Sequence, residues 1–282
     1  MQRTSGGLIE WLTPLAFIAS AGWAIWHIPA FIIDLAPPED ESLRGQLTAI
    51  FVRNDVSPNL PGLFGGLADV IDWAALALVP VIFLLGVLTV RRAPMEFEGW
   101  RALDRMAVFF GRVTMMLIVI MTGIMMYEVM LRYVFERPTI WANELTLWLA
   151  GFVFLCSGLY AMQQRSHIRI FLLYDAVPRW IQRLFDCLST LFIVTFAFFL
   201  VYGSYNQVFV NKLYRWETYG TAFDPPIPAT IQPLILIIVT LVAVQAVLNL
   251  IADWNAEPVI HTAADDIDAD ELEAIKRSVG VK

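Results

Sequence analysis

The sequence predicts an all-α fold, a polytopic membrane helix bundle of about six transmembrane helices with short interfacial amphipathic helices. Hydrophobic residues make up 58% of the 282-residue chain and charged residues only 16%. Soluble domains are nearer half apolar and a quarter charged. The excess is collected into long apolar runs separated by short polar segments, which is the pattern typical of membrane proteins.

Each of the six runs is long enough to cross a bilayer, which takes about 20 apolar residues in a helix. The runs do not alternate between polar and apolar residues as barrel strands do, and Leu234–Val244 is apolar nearly throughout. In hydrocarbon the helix satisfies every backbone N–H and C=O internally. The expected helices are Leu8–Ile33, Leu67–Val90, Met106–Val134, Trp141–Met162, Cys187–Val210 and Thr230–Ala252.

Lys and Arg predict the orientation of these helices. With both termini in the cytoplasm, about two-thirds of the 19 basic residues fall on the inner side. The first apolar run is too long for the h-region of a signal peptide, so we expect it to be retained. An even number of helices agrees with two cytoplasmic termini.

The polar connectors divide the chain into three expected regions. Residues 1–93 form an N-terminal extension with two helices and a periplasmic loop, residues 94–256 a four-helix membrane domain, and residues 257–282 an acidic cytoplasmic tail. Within them, Pro94–Arg105 and Pro178–Asp186 space their apolar residues as one face of a helix, which predicts two amphipathic helices on the inner surface.

Several classes of function find no support in the sequence. A basic stripe for nucleic acid is absent, and so are the G-x-S-x-G, H-E-x-x-H, S-x-x-K and ATP-binding G-x-x-x-x-G-K-[ST] motifs. The two cysteines lack C-x-x-C spacing. We therefore predict no catalytic residues, no metal site and no cofactor, and the chain is not expected to be an enzyme.

Histidines bear on the haem-binding alternative. Only His27 of the three histidines lies in an apolar run, so a haem held by two histidines within the membrane has no second ligand. An ionisable residue inside a membrane segment is a functional hypothesis by default. Because His27 lies near the end of the first helix beside Trp26, a structural role is the preferred interpretation.

Polar residues cluster at the turn between the third and fourth helices, on the predicted outer side. Glu128 and Arg132 are four residues apart and can pair on one helix face. Glu144 falls in the first turn of the fourth helix, where negative charge is favourable. These charges, with Trp141 nearby, either stabilise the turn or form a platform for a partner subunit; the residues alone leave both interpretations open.

A second, basic cluster follows the inner end of the fourth helix at Arg165, His167 and Arg169. Positive charge at this place favours retention on the cytoplasmic side and contact with phospholipid phosphates. The alternative is docking of a partner subunit.

Four short elements follow one another along the chain: R-Y-V-F at the end of the third helix, W-A-N-E at Trp141–Glu144, R-S-H-I-R-I at Arg165–Ile170 and V-P-R at Val177–Arg179. Their order and spacing resemble the DctQ-like small membrane subunit of tripartite ATP-independent periplasmic (TRAP) transporters. The resemblance covers roughly Trp100 to Trp254. One departure is Phe171, where many relatives have Asp shortly after the His element; Asp175 is a possible substitute.

The resemblance implies a subunit in the bacterial inner membrane that binds a large permease subunit. The large subunit would hold the substrate and sodium sites, and a periplasmic solute-binding protein would deliver a small organic acid. By the same resemblance, Arg132, Trp141, Glu144, Arg165, His167 and Arg169 are interface or structural residues. The alternatives are a membrane anchor of a respiratory or redox complex, and a stand-alone carrier.

Overall fold

The described part of the chain forms six long helices and one π-helical segment. The computed structural model of the protein describes residues 8–28, 30–31, 68–93, 96, 101–165, 174, 177–214 and 216–255, and no strand occurs in these ranges. All six helices are long and apolar enough to cross a membrane, as predicted. They are α1 (Leu8–Trp26), α2 (Val70–Thr89), α3 (Ala102–Tyr133), α4 (Trp141–Gln163), α5 (Arg179–Tyr205), which continues as the π-helix Asn206–Tyr214, and α6 (Ile227–Asp253).

Two expected boundaries are wrong. The separate amphipathic helix expected at Pro178–Asp186 is instead the beginning of α5, which starts at Arg179 directly after the proline at its N-cap. No proline lies at the junction of Asp186 and Cys187, so the expected amphipathic segment and the expected fifth helix form one continuous helix. The first helix ends at Trp26, earlier than the expected Ile33, although Ile28, Ala30 and Phe31 beyond it are again helical.

Other expectations concern residues outside the described ranges. They include residues 32–67 between α1 and α2, half of the Pro94–Arg105 segment, His167, Arg169, Phe171, Asp175 and the acidic tail. Of the expected amphipathic segment, Ala102–Arg105 forms the first turn of α3.

The helices contact one another in a sequence that differs from their order in the chain. The main contacts join α2 to α1, α1 to α3, α3 to α4, α4 to α6, and α6 to α5, with a smaller contact between α2 and α3. The N-terminal pair therefore packs at one side of α3. At the other end of this series α5 lies against α6.

An aromatic cluster joins the N-terminal pair to α3. Phe17 of α1 and Phe83 of α2 lie with their ring centroids 5.5 and 5.8 Å from the ring of Phe109, both nearly edge-on. Phe109 is only 1% exposed. Edge-to-face aromatic pairs add about 0.5–1.5 kcal/mol beyond the burial of their area, so this cluster is a specific contact and not only an apolar one.

Glycines allow the helices to approach closely at three contacts. A Cβ atom on Gly86 of α2 would lie 2.1 Å from the ring of Phe109, and one on Gly151 of α4 would lie 2.8 Å from Ile231 of α6. Between α3 and α4, a Cβ on Gly111 would lie 2.6 Å from the ring of Tyr160. Small residues at helix interfaces are the usual means by which membrane helices gain packing contacts.

A buried carboxylate, that of Asp72, joins α2 to α1 near the beginning of α2. Asp69 caps α2 by accepting hydrogen bonds from the backbone N–H groups of Ile71 and Asp72. The buried carboxylate of Asp72 accepts a 2.7 Å hydrogen bond from Trp23 Nε1 of α1. His27 stacks on Trp23 with ring centroids 4.8 Å apart and lies 3.7 Å from Asp72. His27 is 3% exposed and packed in this cluster, as a structural histidine would be.

Gly111 provides a test of the close contact between α3 and α4. We expect Gly111→Ala to lower the free energy of unfolding by about 1–3 kcal/mol, because the new methyl group forces the ring of Tyr160 away from its packed position. The measurement is thermal unfolding of the purified protein in detergent. The matched control is Gly123→Ala on the same helix, where an added Cβ meets nothing within 4 Å. The control should leave stability unchanged or raise it slightly; equal loss in both variants would contradict the packing argument.

Candidate functional site

A buried polar network lies where α1, α3 and α4 meet at the predicted inner side. Arg112 of α3 donates to both oxygens of Glu96, at 2.8 Å from Nη1 to Oε1 and 3.1 Å from Nη2 to Oε2. Tyr160 of α4 donates to Oε1 at 2.9 Å, and the backbone N–H of Ala93 donates to Oε2 at 2.8 Å. Arg112 and Glu96 are 6% and 7% exposed. The Glu96 carboxylate is thus supplied with four donors.

The N-terminal helix contributes a second carboxylate to this network. Glu10 Oε1 lies 3.7 Å from Arg112 Nε, and the backbone N–H of Arg91 donates to the same oxygen over 3.4 Å. Arg112 also donates to the carbonyl oxygen of Arg91 at 3.2 Å. The network around the guanidinium of Arg112 therefore connects α1, the connector after α2, α3 and α4.

Burial makes this network sensitive to the loss of any member. Taking ions out of water costs several kcal/mol for each ion, and only good geometry with full hydrogen bonding repays that cost. Arginine suits the position because its planar fork holds a carboxylate through two parallel hydrogen bonds. Replacing one partner would leave the other charge buried and unpaired.

The predicted pair of Glu128 and Arg132 forms at the outer turn. Arg132 Nη2 donates to Glu128 Oε1 at 2.6 Å, one helical turn along α3. Glu128 is 3% exposed, and its second oxygen accepts from both the backbone N–H, at 3.0 Å, and the hydroxyl of Thr139. Glu128 therefore ties the turn before α4 back to α3, which is the stabilising role that the sequence left open.

Glu144 makes a different and longer-range contact. Its Oε2 accepts from Thr221 Oγ1 at 2.6 Å and from the backbone N–H groups of Phe223 and Asp224, both at 3.2 Å. These donors belong to residues 217–226, which we call the α5–α6 loop. The expected outer cluster is therefore two separate groups of contacts, one around Glu128 and one around Glu144.

Trp141 lies at the edge of the outer turn. Its ring is tilted against Tyr127 of α3, with centroids 6.3 Å apart, and 36% of the residue is exposed. A half-exposed indole near a helix end fits the headgroup level of a membrane, where the ring is buried and its N–H is wet.

Arg165 of the inner basic cluster is fixed by an ion pair with α6. Its Nε and Nη2 donate to the two oxygens of Asp253 at 2.6 and 2.7 Å. Arg165 has a φ of 56°, a left-handed conformation that commonly terminates helices. Because such a conformation is costly for a residue other than glycine, the bidentate ion pair helps to hold the chain in this turn.

The beginning of α5 joins the same place. Arg179 Nη2 donates to the backbone oxygen of Asp253 at 3.1 Å, and the Arg183 guanidinium lies 5.4 Å from the ring centroid of Trp254. The C-terminal ends of α4 and α6 and the beginning of α5 are therefore held together by arginines.

Sequence reasoning missed the buried network entirely. Arg112 lies within the expected third helix, Met106–Val134, and a charged residue inside such an apolar run usually has an internal partner. Its main partner, Glu96, lies in a connector outside any regular helix, so helical spacing could not reveal the pair. Among the described residues, no three His, Cys, Asp or Glu side chains lie together as metal ligands would.

Comparison with known proteins identifies relatives of the second half of the chain. The profile of the family described as "Tripartite ATP-independent periplasmic transporters, DctQ component" matches residues 121–255. The chain is also 25% identical over 114 residues to the C4-dicarboxylate TRAP transporter small permease protein DctQ of Vibrio cholerae serotype O1. That alignment covers 40% of this chain and 47% of the relative, about half of its length. No solved structure matches the chain.

Arg112 is the residue whose loss should damage the buried network most. We expect Arg112→Met to lower the free energy of unfolding by about 3–5 kcal/mol, because Glu96 would remain buried without its cation. Thermal unfolding in detergent measures the effect. The double variant Arg112→Met/Glu96→Gln should recover part of the loss, since no unpaired charge remains.

Lys212→Met is the matched control, because Lys212 pairs with the exposed Glu217 after the π-helix. Pairs at the surface contribute about 0–1 kcal/mol. A loss of stability in Arg112→Met no larger than in this control would contradict the importance of the buried network.

Proposed function

We propose that the protein is the small membrane subunit of a TRAP transporter, because residues 121–255 match the profile of the DctQ component of these transporters. In this role it supports a large permease subunit, which carries out ion-coupled uptake of a small organic acid. A periplasmic binding protein delivers the substrate to the assembled complex. The single observation that carries the proposal is the family match over the last part of α3 and all of α4, α5 and α6, in the region where the short sequence elements also lie.

The chemistry of the buried charges supports a scaffolding role. Arg112 and Glu96 pair with each other, and Glu128 is supplied by Arg132 and Thr139. Charges that are paired with other groups of the same chain hold helices together. Transport sites instead need polar groups at the middle of the membrane that bind and release a substrate or an ion. We therefore assign binding of the substrate and of the coupling ion to the large subunit.

The proposed class of substrate is inferred from the name of a relative. The Vibrio cholerae relative is named for C4-dicarboxylates, and a small organic acid is the corresponding proposal for this chain. The particular acid depends on the binding protein and the large subunit. This chain is proposed to be neither an enzyme nor the determinant of specificity.

Location and organisation complete the proposal. The protein crosses the bacterial inner membrane several times, with both termini in the cytoplasm, in agreement with the distribution of Lys and Arg. Residues 1–93 form an extension to the four-helix domain of residues 94–256, and residues 257–282 form a cytoplasmic tail. The contacts of Glu10 and Phe17 with α3 support an extension that is firmly attached to the domain.

The two polar clusters are proposed to serve assembly in different ways. Glu128, Arg132, Trp141 and Glu144 are proposed to shape the outer face, where the large subunit and the periplasmic binding protein are the partners. Arg165 is proposed to lie toward the inner face, where the large subunit and phospholipid headgroups are the partners, and the same partners are proposed for His167 and Arg169, which follow it in the sequence.

Isolation of the native complex tests the proposed function. The protein is pulled down from its own membranes in a mild detergent, and the proteins that follow it are identified by mass spectrometry. We expect a large multispanning permease, with or without a periplasmic binding protein. Recovery of haem-bearing or dehydrogenase subunits would instead support the membrane-anchor alternative.

Substitution in the two clusters tests their role in assembly. We expect Glu144→Ala and His167→Ala to reduce recovery of the large subunit severalfold, without changing the affinity of the binding protein for its substrate. The physical reason at Glu144 is the release of the α5–α6 loop from α4. Quantitative co-purification measures recovery; undiminished recovery in both variants would contradict the assignment.

A further inference from the structure

The α5–α6 loop is organised by two carboxylates that come from different parts of the chain. Asp224, within the loop, accepts hydrogen bonds from the backbone N–H groups of Gly220 and Thr221, at 2.5 and 3.3 Å. Glu144, from α4, accepts from the next N–H groups along the loop, those of Phe223 and Asp224. Successive N–H groups that converge in this way form a concavity that binds anions.

The backbone of the loop requires such a partner. Asp224 has a φ of 56° and Gly220 a φ of 80°, so the chain reverses through left-handed conformations at both positions. For a residue other than glycine this conformation is costly and persists only where its surroundings enforce it. The N–H of Asp224 donates to Glu144, so the α4 side chain helps to enforce the turn.

The loop in turn places the beginning of α6. Glu217 accepts a backbone hydrogen bond from Ala229, in the first turn of α6. Phe223 stacks against Trp26 of α1, with ring centroids 6.0 Å apart. One carboxylate on α4 therefore sets the position of a surface segment that also touches the N-terminal extension and α6.

We propose that Glu144 is a positioning residue that acts through the α5–α6 loop and does not pair with a cation of a partner subunit. The concavity of Thr221, Phe223 and Asp224 needs a hydrogen-bond acceptor at the position of Oε2, whereas an intersubunit ion pair would need the negative charge. The part of this proposal that concerns partners rests on the proposed function.

The two roles differ in their response to Glu144→Gln. A glutamine side chain has nearly the same shape and keeps a carbonyl oxygen that can accept hydrogen bonds at the position of Oε2, but it carries no charge. We therefore expect Glu144→Gln to behave like the wild-type protein and Glu144→Ala to lose the loop.

Hydrogen exchange of the purified small subunit measures the loop directly. In Glu144→Ala, peptides that cover residues 217–226 should exchange about tenfold faster or more, because the hydrogen bonds from Thr221, Phe223 and Asp224 to the side chain at position 144 are lost. In Glu144→Gln the rate should stay within about threefold of wild type. The matched control is Glu136→Ala, which removes an exposed carboxylate on the neighbouring turn between α3 and α4 and should leave this loop unchanged.

Thr221→Val gives an independent variant from the other side of the contact. It removes one donor and keeps the charge of Glu144, so the same peptides should exchange a few times faster. In combination with Glu144→Ala it should add little, because residues that share one interaction are not additive.

Co-purification of the large permease separates the two roles in the complex. Rescue of recovery by Glu144→Gln supports positioning, while equal loss in Glu144→Gln and Glu144→Ala would overturn it in favour of a charge on the interface. Wild-type exchange in Glu144→Ala would also overturn it. If the wild-type chain recovers no permease, the proposed function fails, but the exchange rates still decide whether Glu144 holds the loop.

Discussion

The pairing of Arg112 with Glu96 is the contact on which the arrangement of the helices depends. A charge carried into an apolar layer must be met there by opposite charge and by hydrogen-bond donors, or it destabilises the fold. Here one guanidinium meets a carboxylate from the connector, approaches another from α1, and shares Glu96 with the hydroxyl of Tyr160 on α4. Apolar packing between membrane helices has little preference for one arrangement over another, because lipid tails are equally apolar. The directional contacts at this point supply that preference.

Carboxylates have the same role elsewhere in the molecule. Glu128 holds the turn after α3, Glu144 holds the α5–α6 loop, and Asp253 receives Arg165. In each case a side chain on one helix satisfies groups at the point where another segment enters or leaves a helix. Helix ends leave backbone groups without internal partners, and side chains are a common way to supply them. Aliphatic and aromatic contacts then fill the space between these fixed points.

The sequence predicted the number of helices, because each apolar run is long enough to span and nothing but a helix satisfies its backbone in hydrocarbon. It also predicted the pair of Glu128 and Arg132, which depends only on helical spacing. It did not predict that α5 begins at Arg179, since amphipathic spacing on an interfacial segment looks the same whether or not the next helix continues it. The partners of Arg112 and Glu144 could not be predicted from local sequence patterns either. Thr221, for example, is 77 residues from Glu144 along the chain, and no helical or strand period connects the two residues.

The length of α5 has a consequence for the shape of the protein at the membrane surface. With all but the last residue of the π-helix, the span runs from Arg179 to Leu213, 35 residues, or about 50 Å at the rise of an α-helix. The hydrocarbon layer is about 30 Å thick, and a typical tilt of about 20° absorbs only a few of the remaining ångströms. A large part of the span therefore has to lie in the headgroup layers or in water, at one end or at both. The apolar residues of Arg179–Asp186 are spaced as one face of an interfacial helix, so the beginning of α5 is suited to the membrane surface while the same rigid element crosses the hydrocarbon.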